Sequence, residues 1–405
     1  MKILFVIPSY EPAWAFGGTV TATVNLCRAL VRKGVDVSVY TTNADGKGGY
    51  LDVPLNKPVD LGGVKVWYFR CDFIVNKAFH SKDLTYKFKE TVKEFDIVDV
   101  SAIWQLIQVY VSKICGKYGV PYVVTPHSSL MEPSFKEVGN QLLKNLYWRM
   151  FAKHSIKCAT ALRFLSQGER EFSENYSLNT PSFIVPNGLD ILYVFNKIKN
   201  FNKQKLREEI GVDLNTVMLL YLGRIHPKKN LDIIINSLNL IKDKNFYLYI
   251  IGPVEDKNYF IRLRKLIKDY DLKHKIKWLP PVEHEKVFYF YFLSDLFLLP
   301  SRSEGVSMAI TEAQLCGLPI LISNRVANWK EIQEDKAGII IEPNISDLLK
   351  YLDEIIQSPN ILSGLSDNAR KSAEKRYDIN KVADLMIKAY EDILTGRRSP
   401  ELQWK

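Results

Sequence analysis

Residues 300–319 read PSRSEGVSMAITEAQLCGLP and follow the apolar run Leu296–Leu299. That run has the length and two-sided hydrophobicity of a buried parallel strand, which Pro300 ends. After a polar loop we expect a helix from its N-cap Ser307 through Cys316, because the Gly-Leu-Pro that follows is typical of a helix end. The stretch therefore predicts a buried parallel strand, a polar loop and a helix.

The start of this predicted helix is suited to a phosphate group. Its free N–H groups and the positive end of the helix dipole point back at the loop. Gly305 lets a ligand approach the backbone closely. We therefore expect the backbone of Gly305, Val306, Ser307 and Met308 to bind an anion.

Two carboxylates, Glu304 in the loop and Glu312 in the helix, have seven residues between them. A carboxylate beside a bound diphosphate would repel it, so Glu304 should reach past the phosphates to a hydroxylated group. Carboxylates accept two hydrogen bonds, which suits the hydroxyls of a sugar or ribose. The alternative is an exposed loop residue and a solvated helix residue, since glutamate is rarely buried.

The segment resembles the signature of retaining glycosyltransferases of family 4, in glycosyltransferase group 1, where Glu-Gly-Phe-Gly precedes Glu-Ala-x-Ala-Cys-Gly-x-Pro. Here Val306 and Ser307 replace Phe-Gly, and Ser307 adds a β-carbon where the family brings backbone against diphosphate. The resemblance implies the GT-B fold, with two Rossmann-like doubly wound domains facing across a cleft. It also implies a nucleotide-sugar donor, with Glu304 catalytic near the sugar and Glu312 on the ribose.

A second basic loop, residues 223–230 (GRIHPKKN), follows the predicted strand Met218–Leu222. It is aimed at the same crevice as the Glu304 loop if the two strands are parallel neighbours. A Lys-Lys pair alone is typical of a solvated turn. The family spacing, however, implies that Arg224 and Lys229 are catalytic. The backbone of Gly223, and that of Gly252, Pro281 and Val282 after the predicted strands Phe246–Ile251 and Ile276–Leu279, would then bind the donor.

Gly17 and Gly18 stand between the predicted strand Lys2–Ile7 and a helix that we expect Thr19 to cap. A lone Gly-Gly is typical of a turn. The full Gly-x-Gly-x-x-Gly spacing is absent, which argues against a dinucleotide-binding oxidoreductase. The surrounding text resembles the donor-diphosphate loop of the family, which implies that both glycines bind the donor.

His127 follows the predicted strand Tyr122–Thr125, at the end of a strand where ligands bind in doubly wound sheets. A lone histidine is more typical of a structural residue. In the family the matching histidine lies beside the donor sugar, so the resemblance implies a catalytic position. Asp99 stands where relatives commonly have histidine.

With 405 residues the chain fits two domains of about 180–200 residues each. We expect a Rossmann-like acceptor domain over residues 1–188, a donor domain over 189–377, and a helix in 378–405 that returns to the first domain. The Pro-Asn-Gly-x-Asp at 186–190 resembles the family's interdomain crossing. A polar linker is predicted over residues 196–205.

The five cysteines are scattered without a Cys-x-x-Cys spacing, which predicts neither disulfides nor zinc and favours a reducing cytoplasm. No stretch approaches the roughly 20 apolar residues of a membrane span. The loops of the candidate site contain no Asp-x-Asp, so we expect no metal or other cofactor.

The net charge of +10 allows nucleic acid, an anionic membrane or phosphorylated small molecules as partners. Nucleic acid is the weakest of these, because no known nucleic-acid motif accompanies the charge. Residues 142–161 predict a basic amphipathic helix, either packed on the sheet or facing a membrane. Its apolar side is Leu143, Leu146, Tyr147, Met150 and Phe151.

We therefore predict a metal-independent, retaining hexosyltransferase that uses a UDP-linked sugar such as UDP-glucose. Its acceptor would be a saccharide or lipid-linked chain in exopolysaccharide or cell-envelope polysaccharide synthesis, at the inner face of the plasma membrane. One alternative is a nucleotide-sugar epimerase of the same fold. Transfer of label from the donor to an acceptor would distinguish a transferase from such an epimerase. The other is a non-catalytic sugar or polyanion binder, which donor hydrolysis would argue against.

Overall fold

The computed structural model describes residues 1–46, 48–75, 78–101, 103–131, 141–397 and 400, without the side chains of 73–79. The chain divides into two units. The first comprises Met1–Leu189 and the segment from Ile379 onward, and the second is Asp190–Asp378. The chain thus leaves the first unit inside its Pro-Asn-Gly-x-Asp segment.

The described strands of the first unit are β1 Lys2–Val6, β2 Asp36–Thr42, β3 Pro58–Leu61, β4 Val64–Phe69, β5 Phe73–Val75, β6 Ala78–His80, β7 Ile97–Ser101, β8 Tyr122–Thr125, β9 Ala161–Phe164 and β10 Ser182–Ile184. All but β5 and β6 form one sheet in the order β10-β9-β8-β7-β1-β2-β4-β3. Its pairings are parallel except that of β3 with β4. β5 and β6 pair separately as a hairpin.

The described α-helices of this part of the first unit are α1 Gly18–Arg32, α2 Lys82–Thr91, α3 Leu106–Tyr118, α4 Gln141–Tyr147, α5 Lys153–Lys157 and α6 Gln167–Ser173. A π-helical turn, Trp148–Ala152, joins α4 to α5. The single helix predicted over residues 142–161 is therefore wrong at its end, because the helical segment stops at Lys157 and β9 begins at Ala161.

The second unit has a sheet of the described strands β11 Val217–Leu222, β12 Phe246–Ile251, β13 Ile276–Leu279, β14 Leu296–Leu299, β15 Ile320–Ser323 and β16 Ile339–Ile341. They are parallel and lie in the order β13-β12-β11-β14-β15-β16. The chain order reverses between β11 and β14, and in such sheets ligands bind beyond the carboxyl ends of the strands at that point. The sequence analysis expected the basic loop 223–230 and the Glu304 loop to face one crevice if the strands before them were parallel neighbours. Those strands, β11 and β14, are parallel neighbours.

The described helices of the second unit are α7 Ile191–Ile198, α8 Lys203–Glu209, α9 Leu231–Leu240, α10 Lys257–Asp269, α11 His284–Leu293, α12 Met308–Leu315, α13 Trp329–Glu334, α14 Ile345–Gln357 and α15 Leu362–Arg376. The polar linker predicted over residues 196–205 is wrong, since α7 and α8 cover most of it. Its asparagine Asn202 caps α8 by accepting from the N–H of Lys205 at 3.1 Å, as N-cap residues commonly do.

Helix α16, Ile379–Leu394, belongs to the first unit. Its buried face, which includes Met386 and Tyr390, joins the apolar core formed by β1 and α1. The Tyr390 hydroxyl donates to a carboxylate oxygen of Asp99 in β7 at 2.7 Å. Burial raises the pKa of Asp99 despite that bond and the positive charge of Arg163. Asp99 therefore fixes this helix to the sheet.

Candidate functional site

The loop after β14 is held firmly at Glu304. The Glu304 N–H donates to the carbonyl of Arg325 at 3.1 Å, and its own carbonyl accepts from the N–H of Ala327 at 2.9 Å. Ser307 is the N-cap of α12, as predicted, but its hydroxyl makes no capping hydrogen bond. The expected side-chain cap is therefore wrong, and the first N–H groups of α12 are left without it. At the other end Gly317 has a positive φ of 70°, as a helix end of this kind requires.

The loop after β11 is bonded to the loop after β14. The Asn230 amide donates to the carbonyl of Pro300 at 3.1 Å, and the N–H of Arg302 donates to the carbonyl of Lys228 at 2.8 Å. Within the loop after β11, Pro227–Lys229 form a 3₁₀ turn that ends at Asn230, whose φ is 60°. The two loops therefore form one rigid edge at the point where the chain order of the sheet reverses.

Lys229 and Glu304 form an ion pair in which Lys229 Nζ donates to Glu304 Oε2. Lys229 is only 8% exposed. The solvated turn that a Lys-Lys pair alone would suggest is therefore wrong for Lys229, because the 3₁₀ turn folds this side chain beneath the Glu304 loop. Charges buried to this degree are stable only when they are paired.

Arg224 lies in the same loop as Lys229 but points elsewhere. Its guanidinium pairs with a carboxylate oxygen of Glu255 at 2.6 Å, and 62% of its side chain is exposed. The Tyr221 hydroxyl donates to the Arg224 carbonyl at 2.8 Å and so fixes the backbone. The structure thus brings Lys229, but not the Arg224 guanidinium, into contact with Glu304.

Glu312 is buried in α12, and each of its carboxylate oxygens has a partner. His284 Nε2 lies 2.9 Å from Oε1, and the Tyr291 hydroxyl donates to Oε2 at 3.0 Å. Both partners come from α11 and were missed by the sequence analysis. Their spacing of seven positions, which places two side chains on one helix face, was the available signal. Each oxygen retains a further lone pair for a ligand hydroxyl.

Three predicted donor-binding residues follow the neighbouring strands β12 and β13. Gly252 has a φ of 147°, and a β-carbon there would come within 2.0 Å of the Gly223 carbonyl oxygen. Gly252 is therefore needed for close backbone packing against Gly223, which itself donates to the Ile251 carbonyl at 3.0 Å. Pro281 is exposed and Val282 half-buried, beyond the end of β13. All four residues lie at the sheet edge that holds the ion pair.

In the first unit, Gly17 is the N-cap of α1 and has a positive φ of 78°. The prediction that Thr19 caps the helix is wrong, since α1 already begins at Gly18. The loop before it is held by Arg28, whose guanidinium donates to both carboxylate oxygens of Glu11 at 2.9 and 2.8 Å. Gly17 and Gly18 thus lie in a braced turn at the carboxyl end of β1.

His127 lies just beyond β8 in a strained turn. His127 and Ser128 have positive φ values of 47° and 62°, an uncommon conformation for residues other than glycine. The carboxylate of the fully buried Glu169 accepts from the N–H of Ser128 and from that of Leu165, the latter at 2.6 Å. Glu169 therefore holds the turn, a role that the sequence analysis missed. Its signal was the Ser166-x-x-Glu169 capping pattern, in which Ser166 accepts from the Glu169 N–H.

The imidazole of His127 is neutral near physiological pH. Desolvation in its dense surroundings, followed by the positive charge of Arg163, lowers its pKa to about 3. His127 Nε2 lies 3.3 Å from the Ser101 hydroxyl at the end of β7. The ring can therefore exchange hydrogen bonds with a polar ligand but carries no charge.

Two family models match the chain. The model described as "Glycosyltransferase Family 4" matches residues 16–191, and "Glycosyl transferases group 1" matches residues 202–372. The chain belongs to the group 1, family 4 glycosyltransferases. Its two sheets, which are parallel except for the β3–β4 pair, have the GT-B fold of that family.

Relatives and solved structures are similar over long stretches. An uncharacterised glycosyltransferase of Haemophilus influenzae is 24% identical, over 95% of this chain and 98% of its own. An Escherichia coli protein named UDP-Gal:alpha-D-GlcNAc-diphosphoundecaprenol alpha-1,3-galactosyltransferase is 29% identical, over 69% and 71%. Anabaena Alr3699/HepE, solved in complex with UDP-glucose, has a TM-score of 0.72 at 18% identity, over 97% of this chain and all of its own.

The helical segment α4–α5 of this glycosyltransferase carries an exposed apolar ridge, which we define as Leu142, Leu143, Leu146, Met150 and Phe151. These side chains are between 42% and 79% exposed. The segment does pack on the core of the first unit, as one alternative expected, but through Trp148, Ala152 and Ile156 and not through the predicted apolar side. Clusters of exposed apolar side chains, unlike single ones, are typical of interaction sites.

Basic side chains accompany the apolar ridge. Arg149 and Lys157 are exposed, and Lys144 lies 4.7 Å from the ring centre of Trp104. Among the residues that the structure describes, no helix is long and apolar enough to cross a bilayer.

Proposed function

We propose that this glycosyltransferase moves a hexose from a UDP-linked sugar, UDP-glucose or similar, to an acceptor hydroxyl with retention of anomeric configuration. The observation that carries the proposal is the Lys229–Glu304 ion pair beside the start of α12, where β11 and β14 end. A cation and free N–H groups suit a diphosphate, and the carboxylate suits a sugar hydroxyl.

In the proposed reaction the bond between the anomeric carbon and the diphosphate oxygen breaks. The acceptor oxygen bonds to that carbon on the same face, and its proton passes to the departing diphosphate. The leaving group gains negative charge, which Lys229, Arg224 and the start of α12 would stabilise without a metal ion. His127, Gly17 and Gly18 remain predicted donor contacts.

The choice of a UDP-linked donor is supported by two similarities. The Anabaena structure contains UDP-glucose, and the name of the Escherichia coli relative specifies UDP-galactose. UDP should raise the melting temperature of the protein more than GDP or NAD at the same concentration, because the ligand that binds more tightly stabilises the folded protein more. A ligand at a hundred times its Kd adds about 2.7 kcal/mol to the free energy of unfolding. Differential scanning fluorimetry measures this. A larger shift with GDP than with UDP would refute the base assignment.

We further propose that the acceptor is a saccharide or lipid-linked chain in exopolysaccharide or cell-envelope polysaccharide synthesis, met at the cytoplasmic face of an anionic membrane. The apolar ridge and its basic neighbours Arg149 and Lys157 support this location. The Escherichia coli relative, whose name specifies a diphosphoundecaprenol acceptor, supports a lipid-linked substrate. A ridge buried at the headgroup boundary, with cations beside it, is the pattern of interfacial helices.

The membrane proposal predicts that the protein sediments with anionic vesicles at low salt and much less with neutral ones. Each lysine or arginine near anionic lipid is worth about 1 kcal/mol, and the ridge adds apolar burial. Arg149→Gln with Lys157→Gln should remove most of the preference for anionic lipid. Leu143→Ser with Leu146→Ser should weaken recovery at any salt concentration.

The matched control for these variants is Leu240→Ser, which removes an exposed leucine from the second unit. It should sediment like the wild type. Equal recovery of the wild type with neutral and anionic vesicles at low salt would remove the electrostatic part of the proposal. Unchanged recovery of the double serine variant would remove the apolar part.

A further inference from the structure

Helix α11 presents two side chains to one buried carboxylate. His284, its first residue, and Tyr291, two turns later, reach the two oxygens of Glu312 at 2.9 and 3.0 Å. Glu312 is only 5% exposed, whereas about half of the His284 side chain is exposed. The carboxylate is thus clamped from one side by a fixed hydroxyl and an imidazole that solvent can protonate.

We propose that His284 is a positioning residue for Glu312, which it orients for the donor's ribose, and that protonation of His284 strengthens donor binding. The proposal rests on the proposed role of Glu312 in binding the donor. Two directed bonds leave a carboxylate only a small range of rotation, so its remaining lone pairs keep a fixed direction. The bond from His284 is stronger when its imidazole is charged than when it is neutral, because charge-assisted hydrogen bonds are roughly twice as strong as neutral ones.

The groups around His284 favour its protonated form. Glu312 faces it from α12, and Glu285 follows it in α11. Lys197 of α7 pairs with Glu285 at 2.7 Å, and Lys286 pairs with Glu283 at 3.2 Å, so those two cations are already engaged. The ring of Phe288 covers one side, with centroids 5.3 Å apart.

The pKa of His284 is raised, first by its hydrogen bond to Glu312 and then by the charges of Glu312 and Glu285, against partial burial. A raised folded-state pKa means that the charged bond is fully present below the ordinary histidine pKa of about 6.5 and is lost as pH rises through the raised value. Donor affinity should therefore fall as pH rises through neutrality.

A histidine of the loop after β11, His226, cannot produce the same profile. Its pKa is lowered, first by burial, so it titrates at a more acidic pH. Its Nδ1 accepts from the Lys228 N–H at 3.1 Å, and protonation would break that bond as pH falls. The two histidines therefore titrate in separate pH ranges, since the pKa of His284 is raised and that of His226 is lowered.

The first test needs no donor. The imidazole pKa of His284, followed by NMR in the free protein, should lie above the ordinary histidine value of about 6.5, and Glu312→Gln should lower it. An unchanged His284 titration in Glu312→Gln would overturn the coupling between the two side chains.

The second test measures the Kd of UDP-glucose by calorimetry from pH 6 to pH 8.5. UDP-glucose is the right probe, because its diphosphate has no terminal ionisation near neutrality. His284→Ala should raise Kd about 3- to 10-fold at pH 6.5, with kcat nearly unchanged. His284→Gln keeps an N–H donor without a charge, so it should bind with the wild-type affinity of high pH and show a flat profile.

His274→Gln is the control, and it should keep the wild-type pH profile. A wild-type profile that persists in His284→Gln would overturn the proposal even if the protein is stable. If UDP-glucose fails to bind the wild type at every pH while the NMR coupling is intact, the donor assignment fails and this proposal fails with it, although the clamp itself stands.

Discussion

Replacing Lys229 with alanine is expected to lower kcat by about 10² to 10³, with a smaller effect on the donor KM. The reason is that the ammonium group acts on charge that appears on the diphosphate only as the bond to the sugar breaks. A fixed donor of this kind is worth about 2.7 to 4 kcal/mol to the transition state. Steady-state kinetics with UDP-glucose and a saccharide acceptor measure both constants.

The same substitution should also lower the free energy of unfolding. Lys229 is buried against Glu304, so its removal leaves a largely buried carboxylate without a counter-charge, at a cost of about 1–3 kcal/mol. Adding Glu304→Gln should restore part of that stability but none of the turnover. Lys257→Ala, which removes an exposed lysine from the same unit, is the control for net charge.

Chelation separates the role of Lys229 from that of a metal. If protein groups alone stabilise the leaving group, wild-type activity should survive exhaustive EDTA treatment while that of Lys229→Ala stays low. Loss of wild-type activity that Mg²⁺ or Mn²⁺ restores would show that a metal ion neutralises the leaving group. Lys229 would then have been given the wrong role.

The strands of the second sheet could be predicted closely from the sequence. β12, β13 and β14 begin and end at the predicted residues. Each is a short apolar run that Gly or Pro ends, and strands buried on both faces of a parallel sheet are the clearest case of that pattern. The order of the strands in the sheet could not be predicted and is known only from the structure. The strand–loop–helix pattern nevertheless indicated which loops could meet.

The linker predicted over residues 196–205 failed for a local reason. Asparagine and lysine suggested an irregular segment, but Asp190 and Asn202 are N-caps of α7 and α8. The apolar residues between them, including Val194 and Ile198, form a buried face. Polar composition alone does not separate helix caps from linkers.

Burial and pairing within the site depend on contacts between residues distant in sequence. The motif spacing identified Glu304 and Lys229, but only the fold shows that they pair with each other across 75 positions. Asp99 and Tyr390 meet across 291 positions, which no local pattern indicates. Only the fold shows that the buried face of α4–α5 is Trp148, Ala152 and Ile156, because those side chains join the core of the first unit.

Glu304→Gln and Glu312→Gln are expected to separate the roles of the two carboxylates. Glu304→Gln should lower kcat about 10²-fold with little change in donor KM, because the proposed contact of Glu304 is with the reacting sugar. Glu312→Gln should raise donor KM about 3- to 10-fold and leave kcat nearly unchanged, because its proposed ribose contacts are the same in the ground and transition states.

Glu312→Gln should also lower the free energy of unfolding. Each oxygen of Glu312 accepts a hydrogen bond from α11, so an amide there must turn an NH₂ group toward His284 or Tyr291. The neutral amide lacks the charge that strengthens the bonds to both partners, at a cost of about 1–3 kcal/mol that thermal unfolding can measure. Glu354→Gln, at an exposed position, controls for the substitution itself. If the two site variants were kinetically indistinguishable, the division of roles would be wrong even though both residues lie in the second unit near the same sheet edge.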